Sequence, residues 1–335
     1  MMTAFPLGRL DDVNELDLPE PAASARAAAQ ARQMQLTKPP GSLGRLEELA
    51  CFMAGWQRTE HPRIEKAQAL VFAGNHGVCA QGVNPFPQAV TALMVENFAR
   101  KGAAINQLCD VADATLRVVP LELERPTADI TEAPAMSADE CLDALNTGAA
   151  AVDESADILV LGEMGIGNST ISAALALAVF GGTAQDWVGP GTGSDAAGQA
   201  HKRAIISRAV ARHEGLAPIG ILAALGGREQ AALCGAVLAA RLARIPVILD
   251  GFICTAAIAP LYAANPAMLD HCLIGHQSAE PGHARLCARL GKRPLLALDM
   301  ALGEGTGAAL ALNVLRGALA CHNGMATFEE ADINA

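Results

Sequence analysis

The sequence predicts an α/β protein: a doubly wound, mostly parallel sheet, with a small helical layer contributed by the two ends of the chain. Three observations predict it. Short apolar runs alternate with helical patterns from residue 67 onward. Most of those runs are predominantly apolar, as strands buried on both faces are, with little strict alternation with polar residues. The composition, 51% hydrophobic but only 3% aromatic, suits small-residue helices packed closely on a sheet.

The elements follow in order. Residues 22–35 and 43–56 read as helices joined by "LTKPPGS", where Pro39 and Pro40 stop the first and Ser42 caps the second. "AQALVFAG" (67–74) is a buried strand by its length and flanking glycine. A helix runs from Gln88 to Arg100, with Val90, Leu93, Met94 and Phe98 along one face. "ATLRVVPL" is the second strand, and the polar, proline-containing stretch from Glu122 to Ser137 is a loop leading to another helix. "DILVLG" (157–162) is the third strand and 169–180 its helix. Helices follow at 195–213, 217–225 and 228–243. "PVILDG" (246–251) is a strand feeding a helix at 252–263; "CLIGHQ" is a strand feeding a helix at 281–290. "PLLALDM" is the last strand candidate, before a helix that runs to Gly324. Residues 1–60 with about 322–335 are expected to form the small helical domain, and 61–321 the large α/β domain.

Bulk properties exclude several functions. The net charge is −11 and no Lys/Arg run exists, which argues against nucleic-acid binding. The N-terminus lacks a basic stretch followed by an apolar core, so no signal peptide is read. The uncharged segments 165–185 and 251–269 are interrupted by polar residues and prolines, as buried helices are and membrane spans are not. Nine cysteines without a C-x-x-C pair read as free thiols in a reducing cytoplasm. The histidines are spaced too irregularly for a zinc site, so neither a metal nor a cofactor is expected.

In an open α/β sheet, ligands bind beyond the carboxyl ends of the strands. Those ends here are "GNHGV", "GEMGIGNST", "DGF", "GHQSAEPG" and "GEGTG". Glu304 stands among Gly303, Gly305 and Gly307 at the mouth of a helix. One reading is a charge complementing the helix dipole. The other is a working acid in a turn where glycine lets a ligand approach. Residues 162–170 are not a proper G-x-G-x-x-G loop, and they put Glu163 where a phosphate would come. "VGPGTGSDAAGQAHKRA" is the better anion site, with Gly189, Gly191, Gly193 and, two turns into the helix, Lys202. His76 is either a base or a hydrogen-bonded structural residue. Two strand-end carboxylates near an anion loop imply acid/base chemistry on a small phosphorylated substrate.

"TKPPGSLGRLEELA", "GNHGV", "GEMGIGNST", "ILDGF", "GHQSAEPG" and "GEGTGAALAL" occur in this order, and the ordered set closely resembles the nicotinate-nucleotide–dimethylbenzimidazole phosphoribosyltransferase family. The resemblance implies a Rossmann-like sheet with a small helical domain, in a homodimer whose active site lies near the subunit boundary. It implies transfer of phosphoribose from nicotinate mononucleotide to 5,6-dimethylbenzimidazole, giving nicotinate and α-ribazole 5′-phosphate with inversion, in assembly of the cobalamin lower ligand. It implies that Glu304 is the general base, with Glu163 a second acid/base candidate. Gly165, Asn168 and Ser169 match the ribose region, Gly191 and Lys202 the phosphate region, and Ser278 another part of the nucleotide site. Asp250 matches a strand-end acid nearby. Phe86 and Met94 stand where family members can carry polar residues lining the base pocket. The segment "ELERPTADITEAP" is shorter than usual and lacks a glycine-rich turn. A catalytically silent binding paralogue and, more distantly, a dinucleotide-dependent oxidoreductase are the alternatives.

Overall fold

Five strands form one parallel sheet in the order β2-β1-β3-β4-β5. They are β1 (Ala67–Ala73), β2 (Ala114–Pro120), β3 (Ile158–Met164), β4 (Val247–Leu249) and β5 (Cys272–Ile274). This is the doubly wound order in which connections leave β1 and β3 in opposite directions. The computed structural model describes residues 5–191 and 193–333.

Among the described residues the helices are α1 (Ala23–Gln35), α2 (Arg45–Gln57), α3 (Ala89–Ala99), α4 (Ala104–Val111), α5 (Ala138–Ala150), α6 (Asn168–Phe180), α7 (Ala196–Arg212), α8 (Pro218–Leu225), α9 (Arg228–Leu242), α10 (Phe252–Ala257), α11 (Ala259–Ala264), α12 (Pro281–Arg289) and α13 (Thr306–Gly324). Successive strand residues point to opposite faces, and each face is covered. Leu70, Phe72, Leu159, Leu161, Val247 and Leu249 enter a core shared with α5 to α12. Ala69, Val71, Ile158, Val160 and Ile248 enter a second core built with α2, α3, α4 and α13. The sheet is therefore the middle of three layers.

Three elements differ from the sequence reading. Residues 294–300 are not a strand. Leu295 and Leu296 donate to the carbonyls of Ile274 and Gly275 (2.9 and 3.0 Å), but pairing stops at one bridge and Asp299 turns away with φ 54°. The helix expected at 252–263 breaks at Ile258, because Pro260 has no N–H and its ring crowds the carbonyl four residues back. Helix α4 went unread; its signal was Ile105, Leu108 and Cys109 at helical spacing.

The closest helix packing is between α5 and α9. A Cβ on Gly148 would fall onto the Ala232 carbonyl, and one on Gly235 onto the Leu145 carbonyl. These contacts involve backbone, which cannot swing aside. Gly148→Ala is expected to lose about 1–3 kcal/mol of stability by overpacking, read as a lower midpoint in urea with an unchanged fold by circular dichroism.

Candidate active site

The carboxyl ends of β3, β4 and β5 open into one cleft, lined by Glu163, Asn168, Asp250, His276, Glu280 and Glu304 among others. Its acidic end is built from the turns after β3 and β4 and the turn that precedes α13. Glu163 is the penultimate residue of β3 and is buried. Gly167, with φ 93°, turns the chain into α6, whose first residue, Asn168, donates its side-chain amide to Glu163 Oε2. Asp250 follows β4 and is buried. Its Oδ2 accepts from the Gly305 N–H (3.0 Å) and its Oδ1 from the Ala308 N–H (2.9 Å).

Glu304 arrives from the other direction, just before α13. It sits at φ 62° between Gly303 and Gly305, both at φ 85°. Left-handed backbone is costly for a residue with a Cβ, of the order of 1–3 kcal/mol, and persists where the surroundings over-determine it. Here they do: a Cβ on Gly162 of β3 would strike the Glu304 and Gly305 backbone, so the turn lies directly on the strand. A Cβ on Gly303 would come within 2.6 Å of Glu163 Oε1, so the two acid-bearing turns also touch.

Burial dominates the electrostatics of this end. It pushes the Glu304 carboxyl up to about 7, with the neighbouring Asp250 adding to the rise. Asp250 is likewise pushed up to about 7 by burial, against the pull of its backbone N–H donors. Glu163 is raised well above the ordinary range by burial, then by the charges of Asp250, Glu229 and Glu304, with only the Asn168 amide opposing. Burial and like charges thus favour the protonated form of Glu163, while Glu304 and Asp250 are both raised to about 7.

The opposite end suits an anion. Lys202, buried on α7, brings its Nζ to 3.5 Å from Ser169 Oγ. Gly191 lies against both: a Cβ there would be 2.7 Å from Ser169 Oγ and 3.2 Å from Lys202 Nζ, and its φ is 54°. The Gly191 N–H donates to Glu280 Oε1 (2.8 Å). Burial lowers the Lys202 pKa, and Glu280 partly restores it. Burial raises that of Glu280. Ser278 holds the Glu280 turn: its Oγ accepts from the Glu280 N–H (3.2 Å), and its own N–H donates to His283 Nδ1 (2.8 Å). That bond leaves the His283 proton on Nε2, which faces Thr255 Oγ1 at 3.2 Å. His283 is pushed down to about 3 by burial and His276, so it stays neutral.

The structure therefore brings Glu163, Gly165, Asn168, Ser169, Gly191, Asp250, Ser278 and Glu304 to one cleft wall, with Lys202 directly behind Gly191 and Ser169. It does not bring Phe86 or Met94 there. Met94 packs against the second core, and Phe86 is exposed ahead of α3. Gln88 and Thr91 reach the site from that segment instead. The Gln88 amide donates to the His76 carbonyl, and Thr91 Oγ1 accepts from the Ile166 N–H (3.2 Å). His76 is fully buried, its Nε2 3.1 Å from Glu229 Oε1, and it packs behind Gly165 of the cleft wall. Glu280, His276 and Glu229 were missed from sequence. Glu280 had a signal, an acid in a Ser/Gly-flanked strand-end turn like Glu304. Glu229, in the first turn of α9, has no sequence signal that separates it from an ordinary helix acid.

A family model described as phosphoribosyltransferase matches residues 18–333. The nicotinate-nucleotide–dimethylbenzimidazole phosphoribosyltransferase of Rhodobacter capsulatus is 65% identical over 318 residues, 95% of each chain. Its namesake from Ruegeria pomeroyi is 59% identical over 94% of each chain. The crystal structure of the enzyme of that name from Thermus thermophilus superposes with a TM-score of 0.87 at 40% identity, covering 94% of this chain and 99% of that one. By family match, sequence and fold together, this chain belongs to the nicotinate-nucleotide–dimethylbenzimidazole phosphoribosyltransferase family.

Proposed function

We propose that this protein transfers phosphoribose from nicotinate mononucleotide to 5,6-dimethylbenzimidazole, releasing nicotinate and α-ribazole 5′-phosphate for the cobalamin lower ligand. Membership of the family supports the activity. The observation that carries the mechanism is the cleft itself, with raised carboxyls at one end and a buried lysine behind a glycine turn at the other.

The nucleotide's phosphate sits at Lys202, Ser169 and Gly191, which place a cation, a hydroxyl and side-chain-free backbone together. The ribose then extends past Asn168 toward the acids. Nicotinate is bound to C1′ as a pyridinium, so the electrons of the breaking C1′–N bond neutralise its ring nitrogen, and it leaves without needing a proton. The unprotonated nitrogen of the benzimidazole attacks C1′ from the opposite face, which inverts the centre. Positive charge then builds on the benzimidazole, and its remaining N–H becomes acidic. Glu304 takes that proton. A carboxylate held near pKa 7 is a stronger base than an exposed one and is still ionised in a useful fraction. Burial and the acidic neighbours shift Glu163 toward its protonated form, which lessens its competition for the proton.

The rival dinucleotide loop at 162–170 finds no support. The buried Glu163 side chain fills the space beside Gly303 that a pyrophosphate would need.

We further propose that the chain is a homodimer. Leu298 and Leu302, exposed beside the cleft, and Phe86 and Leu93 on the outer side of the α3 segment support an apolar partner surface there. For the small helical domain, 1–60 with about 322–335, the contact of α1 with the C-terminal segment is the support, while α2 and residues 7–16 pack into the two cores of the sheet. Gln33 Nε2 lies 2.8 Å from His322 Nδ1, and Arg32 donates to the carbonyls of His322, Asn323 and Met325.

Glu304→Gln keeps the side chain's size but removes the base. It is expected to lower kcat by about 10²–10⁴-fold in a protein that still folds and binds nicotinate mononucleotide. In the wild type, kcat/KM should climb with pH through about 7 and level off above it, because the base works only when ionised. Near-normal turnover in the folded variant would remove Glu304 from the chemistry. Lys202→Ala is expected to raise the KM for nicotinate mononucleotide by about 10- to 100-fold and to leave that for the benzimidazole nearly unchanged; steady-state titration of each substrate separates the two. Sedimentation equilibrium should give twice the 34.5 kDa chain mass, and a monomer at micromolar concentration would refute the dimer.

A further inference from the structure

Asp250 lies on the cleft wall, yet both of its carboxylate oxygens are engaged by the protein's own backbone. One carboxylate oxygen holds the Gly305 N–H at 3.0 Å and the other the Ala308 N–H at 2.9 Å, and the side chain is 1% exposed. Both donors belong to the turn that carries Glu304 and to the first residues of α13. We propose that Asp250 is a positioning residue for Glu304. It pins the backbone on the C-terminal side of the base and so fixes where the base's carboxylate points. The inference rests on the reading of Glu304 as the general base.

Three observations converge on it. Glu304 holds a left-handed φ of 62° that an unsupported turn would relax. The N–H of the very next residue is one of the two that Asp250 grips. The far side of the same turn is pressed onto Gly162, so strand β3 and the end of β4 close on the Glu304 turn from two directions. A carboxylate suits the task because it accepts from two N–H groups at once and donates to neither. Asparagine in its place would turn an N–H₂ toward one of those donors.

Asp250 also adds, after burial, to the proton affinity of the base. The ionisable groups around the two residues come from five elements. Glu163 comes from β3, Glu229 from α9 and Cys254 from α10. His276 follows β5, with its Nε2 3.6 Å from Asp250 Oδ1, and Glu304 precedes α13. Of these, Asp250 is the charge that raises the Glu304 pKa beyond the effect of burial. Removing that charge lowers the pKa of Glu304, so its acid limb moves to lower pH. Misplacing the carboxylate by a fraction of an ångström to an ångström lowers kcat, of the order of 10²-fold at the upper end.

The test measures kcat, both KM values and the pH dependence of kcat/KM for wild type, Asp250→Asn and Glu304→Gln. The expected Asp250→Asn result is a kcat lower by about 10- to 100-fold, an unchanged KM for nicotinate mononucleotide, and an acid limb displaced to lower pH. A residue that only supports the fold would lower activity and melting temperature without moving that limb. If Asp250→Asn does not fold, Asp250→Ser takes its place, since it keeps one acceptor and leaves room for a water. The wild type gives an independent reading: the Gly305 and Ala308 amide resonances should move with pH as the Asp250 carboxyl titrates. An acid limb lost in Glu304→Gln but unmoved in the Asp250 variant, or amide resonances indifferent to pH, would overturn the positioning role alone. An acid limb retained at wild-type turnover in Glu304→Gln would overturn the base assignment and this inference with it.

Discussion

The approach of the 303–305 turn to strand β3 at Gly162 is the constraint on which the rest of the site depends. Wherever β3 carried a side chain at that point, the turn would have to stand off, and Glu304 with it. The contact is possible because the sheet is parallel and buried on both faces, so its carboxyl edge gathers the turns after β3, β4 and β5 within reach of one another. Gly191 applies the same device at the other end of the cleft, where the absent side chain leaves Ser169 and Lys202 room to converge. In both places the small residue matters less for its flexibility than for what it lets come near.

Bringing acids together in a dry cleft costs free energy, and the structure shows how the cost is spread. Asp250 recovers part of it through backbone N–H donors, Glu163 through the Asn168 amide, and Glu280 through the Gly191 N–H and the charge of Lys202. The remainder appears as raised proton affinity. A carboxyl whose folded pKa exceeds its unfolded value binds protons on folding, so its contribution favours the folded chain as pH falls from above 7 toward the unfolded value near 4. The enzyme thus trades some stability at neutral and higher pH for groups whose protonation is balanced where the reaction needs it.

Much of this was legible in the sequence, and the limits have physical causes. Mostly apolar runs marked β1, β3, β4 and β5, because a strand covered on both faces has little polar alternation; β2, at the sheet edge, carries Thr115 and Arg117 and alternates in exposure. "PLLALDM" misled for the same reason: Leu295 and Leu296 are apolar and do follow β5, but Asp299 carries the chain away before a ladder forms. Strand order lay outside what periodicity can report. In the site, Glu304 and Glu163 were conspicuous as acids beside glycines in glycine-rich turns, and Lys202 as a cation two turns into the helix that follows the Gly189–Gly193 stretch. Glu229 was not, since its partner His76 comes from a distant turn and only the fold puts them 3.1 Å apart. Phe86 and Met94 were placed by resemblance, and the direction of α3 decides where such side chains go.

The two ends of the cleft belong to opposite layers of the molecule. Ser169, Lys202 and Glu280 are set by α6, α7 and the start of α12, which share the first core. Glu304 is set by α13, which packs in the second. The Asp250–Gly305 hydrogen bond joins residues 55 positions apart, across the intervening β5 and α12. Nothing local in "LGEGTG" can make that bend on its own. The Glu304 turn therefore depends on both layers at once: β3 and the end of β4 supply the surface it lies on, and α13, packed in the second core, holds it there.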